Sequence, residues 1–452
     1  MNNKQNNLET GKIGRLLISL SIPSIIAQLV NLLYNIVDRI FIGRMPGGEL
    51  AMAGVGIVTP VVLLISAFSA LVGFGGSPIA AIKMGEKDND SAEEIISNSF
   101  SLIILIGIIL TFVFYIFKEP IVRAFGASDA TIGYALDYLS IYLIGTVFVQ
   151  IAIGMNSFIN TQGFTKIGMM TVAIGAIINI FLDPIFIFGL NMGVKGAALA
   201  TVISQFISAV FVLKFLFGDK SILKIRKKYL KLNKKVVIAI VSLGVSPFIM
   251  QSTESIVIIS LNNQLLRYGG DLAVSAMTIM SSIMQFINMP MMGLVQGAQP
   301  IISYNFGAKN YDRVKKTFKL LFTVCLSFTL VFVTLLMVFP EFFVNIFNDQ
   351  KQLVDITVWS IRIYFVGMSI FGMQIACQQT FLALGQAKIS LFLALLRKMI
   401  LLVPLIFILP MFMENQLMAV LLAEPIADII ACLSTTTVFI MFYKKTFKKM
   451  KF

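Results

Sequence analysis

Apolar residues fill this chain in long stretches, broken by short polar turns, over nearly its whole length. Twelve stretches are long enough to cross a bilayer as helices: roughly 13–43, 50–82, 92–117, 133–159, 166–189, 193–217, 235–265, 273–304, 313–338, 355–382, 388–410 and 416–443. Several exceed the roughly 20 residues that a crossing needs, so they are expected to tilt, bend or extend beyond the hydrocarbon. The short alternating segments of a transmembrane β-barrel are absent. The first stretch is too long for the apolar core of a cleaved signal and reads as the first span. The expected fold is an all-α polytopic membrane protein with twelve transmembrane helices.

The polar turns also show that the chain repeats itself. GSPIAAIKMGEKDND (76–90) aligns with AQPIISYNFGAKNYD (298–312), pairing Pro78 with Pro300, Gly85 with Gly307, Lys87 with Lys309 and Asp90 with Asp312. The same spacing pairs Phe125 with Phe347, Tyr142 with Tyr364, Gly145 with Gly367, Gly163 with Gly385 and Lys166 with Lys388. Six spans return the chain to its starting side, so both halves share one orientation, a parallel repeat about an axis along the membrane normal. The domains expected are an N-lobe (1–217), a basic linker (218–234) and a C-lobe (235–452). Transporters built this way place their substrate path between the halves; a duplicated scaffold without transport is the alternative.

Composition agrees with a membrane protein. Mean hydropathy is +0.90 and charged residues make up 13%, against about a quarter in soluble domains. The formal charge of +14 comes from topology. GDKSILKIRKKYLKLNKK, KNYDRVKKTFK and the C-terminal KKTFKKMK lie on one side, whereas the other side carries Arg44, Lys118, Arg123, Lys195, Arg267 and Lys351. The positive-inside rule then places both termini in the cytoplasm. The basic runs sit at membrane edges, where they meet anionic lipid rather than nucleic acid. Cys325, Cys377 and Cys432 fall inside spans, so no disulfide framework is expected. The absence of histidine removes His-ligated metals and His general bases. No phosphate-binding GxxxxGK[ST] loop or other enzyme motif occurs, and no cofactor is expected.

The candidate chemistry lies in the few polar residues within the spans. Asp183, in IINIFLDPIFIFG, is the only charge between Ile167 and Gly189. A carboxylate in the bilayer is costly and marks function by default. Asp38, near the end of span one, is a second such acid. From the rise of an α-helix, Asp38, Asp183, Asn179 one turn below it, and Thr201 in span six all fall within roughly 5–15 Å of the outer boundary. Pro184 removes a helical donor and frees a carbonyl beside Asp183. Two carboxylates, an amide oxygen and a hydroxyl suit a hard cation such as Na⁺. They equally suit a proton, because two adjacent carboxylates in low dielectric resist double ionisation. Alternatively, each acid is satisfied separately, with Asp38 paired to Arg39 or capping a helix. Span one also carries Gln28, Asn31, Asn35 and Asp38 along one face, expected to line an aqueous cavity or to bond neighbouring helices. Pro23 below this stripe is a bending point.

The second half differs. Leu401, Leu405 and Leu261 stand where the repeat places Asn179, Asp183 and Asp38. Span seven contributes one deep acid, Glu254, and span ten a polar face of Gln374 and Gln378; these join the expected substrate cavity. Arg397, Lys398, Glu424 and Asp428 sit in spans eleven and twelve, and Arg397 with Glu424 is the expected buried ion pair, acting as a lock or as part of the cavity.

These residues resemble the MATE family of multidrug and toxic-compound extrusion transporters, bacterial type, over nearly the whole chain. The likeness rests on P-x4-Q-x9-D-x4-G in span one (Pro23, Gln28, Asp38, Gly43), NIFLDPIFIFG followed by GVKGAALAT, QGAQPIISYNFGAKN, and AEPIAD in span twelve. It implies an antiporter in the cell membrane that expels amphipathic, often cationic compounds in exchange for Na⁺ or H⁺, acting as a monomer. The family's N-lobe cation ligands fall on Asp38, Asn179, Asp183 and Thr201. Span ten offers no acid, so the resemblance does not supply a complete C-lobe cation site. The rival readings are a flippase for lipid-linked precursors of the same superfamily, which needs a cationic cavity, and a non-transporting membrane scaffold.

Overall fold

The computed structural model describes residues 8–348 and 350–449, with side chains to 446. Both termini, and part of the C-terminal basic run, lie outside the described residues. The described chain is helical throughout, with no strand. Nine helices are long and apolar enough to cross a membrane, and two bent pairs raise the number to eleven. The pairs are Ile132–Ile144 with Thr146–Thr161, bent by 63°, and Lys351–Tyr364 with Gly367–Ala383, bent by 47°. The helix Lys234–Gly307 has 74 residues. Straight, it would measure about 110 Å, far beyond a bilayer core of roughly 30 Å. It kinks at Gly270, where φ is 64° and ψ is −167°, a conformation only glycine adopts cheaply. Both of its far ends pack on the same end of span two: Gly244 lies against Leu71, and Gly307 against Ile82. The chain therefore reverses at Gly270, and its arms, 234–269 and 271–307, are spans seven and eight. Twelve crossings result.

The parallel repeat is visible in the backbone. Lys87 and Lys309, paired in sequence, both take a left-handed φ, 63° and 58°. Gly163 and Gly385, the next such pair, have φ of 83° and 70°. Span four breaks at Gly145, and span ten breaks at Phe365 and Val366, just before Gly367, the residue paired with Gly145. These turns punctuate both six-helix lobes alike.

The packing of the lobes differs between the two faces of the membrane. Near the basic face one continuous core joins both halves, with Leu17, Val72 and Ile96 of the N-lobe beside Ile240, Val295 and Ile302 of the C-lobe. Toward the opposite face each lobe keeps its own core, one around Val58, Leu139 and Ala198, the other around Leu261, Met280 and Leu421. Glycines allow the close join. Gly75 packs on the backbone of Ile240 and Gly244, Gly85 on Tyr304, Gly293 on Ile25 and Gly297 on Ser21. Any Cβ at these positions would overlap the facing main chain. At the opposite face, Ala53, Gly56 and Pro60 of span two with Phe125 form most of the wall of an open cavity of about 480 Å³, which Ile259 of span seven also lines.

The linker is an ordered strap on the N-lobe. The Oε1 of Gln162 accepts from Ser221 Oγ (3.0 Å), Ile222 N (2.7 Å) and Leu223 N (2.9 Å). Asn98 bonds Tyr229 O and Asn233 N, and Arg226 pairs with Glu93 at 2.9 Å.

Candidate functional site

Asp183 sits at the C-terminal end of the helix Thr165–Pro184. Pro184 has no N–H to continue the regular ladder, and the chain runs on as a wide π-helical turn, Ile185–Gly189. Such turns re-aim side chains and recur at functional sites. Asn179 lies one turn before Asp183 on the same face, and its Nδ2 donates to Asp183 Oδ1 at 3.2 Å and to Thr201 Oγ1 of span six at 3.5 Å. Asp38 approaches from span one, and its carboxyl lies within hydrogen-bonding reach of Asp183. Thus three helices bring Asp38, Asn179, Asp183 and Thr201 to one point. All four are buried, Asp183 completely.

The balance of donors and acceptors decides what this point can hold. Asp38 Oδ1, Asp183 Oδ2 and Asn179 Oδ1 are buried without a donor. Buried oxygens are normally satisfied, and carboxylates accept but do not donate. Three orphaned acceptors around two carboxyl groups fit a hard cation or a proton. Among the described residues there is no cluster of three or more His, Cys, Asp or Glu suited to a metal, in keeping with two carboxylates supplemented by an amide and a hydroxyl. No ion pair joins Asp38 to Arg39 among the described residues, which removes that way of satisfying the acid.

Two tyrosines that sequence reading missed complete the wall. Tyr34, one turn before Asp38, lies beside Asn35 and Gln205, and Tyr138 of span four lies beside Thr201. The signal available for Tyr34 was its i−4 spacing from Asp38; nothing in the sequence pointed to Tyr138. Along the rest of the span-one stripe, Gln28 is half-buried, while Asn31 and Asn35 are exposed. Asn35 Nδ2 bonds Asn31 O at 2.7 Å.

In the C-lobe the structure revises three readings. Glu254 is not a lone acid, since Lys398 Nζ bonds it directly and also bonds Met250 O at 2.8 Å. Arg397 holds Asp428 (2.7 Å) as well as Glu424 (3.0 Å), so the expected pair is a triad. Gln378 spends its amide nitrogen on Ser390 O (2.8 Å) and Ser390 Oγ (3.1 Å), locking spans ten and eleven. Gln374, Gln378, Arg397 and Lys398 line a small cavity with Met250 and Phe371. Both cations there are already paired with acids, so the cavity is not the free cationic site a pyrophosphate would need.

The MatE family model matches residues 23–185 and 244–408, one stretch in each lobe. This chain belongs to the MatE family. The curated relatives of this MatE protein include multidrug export protein MepA of Staphylococcus haemolyticus, 27% identical over 425 residues, covering 94% of this chain and 93% of that protein. MepA of Staphylococcus aureus strain MSSA476 is 26% identical over 430 residues, covering 94% of both. Among solved structures, a MATE protein in the bent conformation superposes with a TM-score of 0.93 over 100% of both chains at 23% identity. An outward-facing multidrug resistance MATE family transporter of the MOP superfamily gives 0.90 at 23% identity, covering 99% of this chain and 100% of that one. At that identity the structural likeness speaks for the fold. A MatE protein is a multi-pass membrane transporter and not an enzyme, and it needs no cofactor.

Proposed function

We propose that this MatE protein is a multidrug efflux antiporter of the cell membrane, exporting amphipathic, often cationic compounds in exchange for Na⁺ or H⁺ by alternating access. The observation that carries the coupling is the set of orphaned oxygens on Asp38, Asn179 and Asp183, buried together in the N-lobe. The names of the MepA relatives support multidrug export.

With the basic face cytoplasmic, both termini lie inside, the lobes are joined on the cytoplasmic side and the cavity between them opens outward. One chain carries both lobes, so a monomer holds the whole path. A cation entering from outside neutralises the Asp38–Asp183 pair, which removes a charge cost of several kcal/mol in low dielectric. Span one then bends near Pro23 and the cavity loosens its hold on a cationic compound, which leaves outward. Cation and cargo need only favour different states of the same lobes.

Efflux of a cationic dye from proteoliposomes, under an imposed Na⁺ gradient in one arm and an imposed pH gradient in the other, tests this reading and separates the two ions. Efflux driven by one gradient in the wild type and lost in Asp183→Asn is expected. Full gradient-driven efflux by Asp183→Asn would sink it.

A further inference from the structure

The C-lobe carries a charge imbalance that the mechanism above does not use. Arg397 and Lys398 of span eleven, two cations, meet three acids, Glu254 of span seven with Glu424 and Asp428 of span twelve. Lys398 neutralises Glu254. Arg397 is left between two carboxylates one helical turn apart, so one negative charge is in excess. The Glu424 and Asp428 side chains are only 5% and 1% exposed, and water does not screen them. Each binds the guanidinium through one oxygen; the others, Glu424 Oε2 and Asp428 Oδ2, are buried without a donor.

A second observation points to the same place. Gln374 of span ten, also buried, lines the cavity shared with Arg397 and Lys398 and presents an unpartnered Oε1. The other titratable groups beside the two acids, which feel their charge, are Tyr364 of span ten and Cys432 of span twelve. Both are neutral in their ordinary protonation state and do not cancel the excess.

We propose that Glu424 and Asp428 hold one exchangeable proton between them, a second ion site that lies in the C-lobe and is built on span twelve. A proton suits it better than a metal cation. One proton cancels the single excess charge and supplies the missing donor to an orphaned oxygen. A metal ion would have to sit beside the Arg397 guanidinium and the Lys398 ammonium and be repelled by both. The site also has a mechanical neighbour. The bend of span ten is seated on it, since a Cβ on Gly367 would fall 2.6 Å from Pro425 Cα and 3.0 Å from Asp428 Cβ. Gain or loss of the proton changes the charge directly beneath that bend.

The proposal does not rest on the N-lobe reading, and the test keeps the two apart. Infrared spectra are taken of the purified protein in lipid vesicles with Asp38→Asn and Asp183→Asn both present, which removes the two carboxyls of the N-lobe site. At neutral pH exposed carboxyl groups are ionised, so a protonated-carboxyl band reports a buried acid. We expect such a band, its loss on an alkaline step, and its loss at neutral pH when either Asp428→Asn or Glu424→Gln is added. Two separate variants guard against one that fails to fold. Absence of the band, a band that survives every alkaline step, or a band unmoved by both added substitutions would each overturn the proposal.

Discussion

Asp38 of span one and Asp183 of span five face each other within hydrogen-bonding reach, although neither carboxylate can donate without a proton. A proton or a metal ion between them satisfies both at once, so they act as one unit. Asp38→Asn and Asp183→Asn should each cut gradient-driven dye efflux at least about tenfold, near 1.4 kcal/mol of lost coupling. Because the residues share one task, the double variant should be little worse than either single one. Multiplying losses, measured in the same proteoliposomes, would mean two independent sites.

Thr201 touches the site through its hydroxyl, which accepts from Asn179 Nδ2 at 3.5 Å and lies beside Tyr138. Thr201→Val keeps the shape and removes the oxygen, whereas Thr201→Ser keeps the oxygen. The valine variant should need several-fold more coupling ion for half-maximal efflux, by the roughly 1 kcal/mol of a lost hydrogen bond. The serine variant should stay near wild type. Equal ion dependence in both would exclude the hydroxyl from the site.

Gly244 lies directly against the main chain of Leu71, where a methyl group has no room. Gly244→Ala should destabilise the joined basic face by about 1–3 kcal/mol, the usual cost of overpacking. The predicted outcome is a folded protein with slowed efflux and a longer distance between spin labels placed across that face. An unchanged distance would show that the join tolerates a Cβ.

Gln162 holds the linker through three bonds to one oxygen. Gln162→Leu leaves the buried N–H of Leu223 unpaired, a penalty of about 1–3 kcal/mol, and with it the half-buried N–H of Ile222. Limited proteolysis should then cut within residues 219–231 several-fold faster while the spans stay protected. Unaltered cleavage would mean that Asn98 and Glu93 suffice to hold the strap.

Much of the fold was legible before any coordinates, because a bilayer leaves few options. Twelve apolar stretches and the paired Gly145 and Gly367 were enough to foresee twelve helices in two like lobes. The grouping of Asp38, Asn179, Asp183 and Thr201 was also foreseen, since helical rise alone sets a residue's depth. Lateral partners were harder. Tyr138 gave no sign because depth does not tell which helix stands opposite. Glu254 read as an open acid because Lys398 lies 144 residues away in sequence. The glycines of the join read as ordinary span residues, since composition cannot say whose backbone approaches them.

Those glycine contacts set the lobes against each other main chain to main chain. Side chains adjust; peptide backbones at contact distance do not. The basic end therefore closes to a fixed stop whatever cargo has passed, while the opposite mouth, lined by side chains of two separate cores, has no such stop. A machine with one rigid seal and one compliant opening can seat molecules of many sizes and still leave no gap behind them.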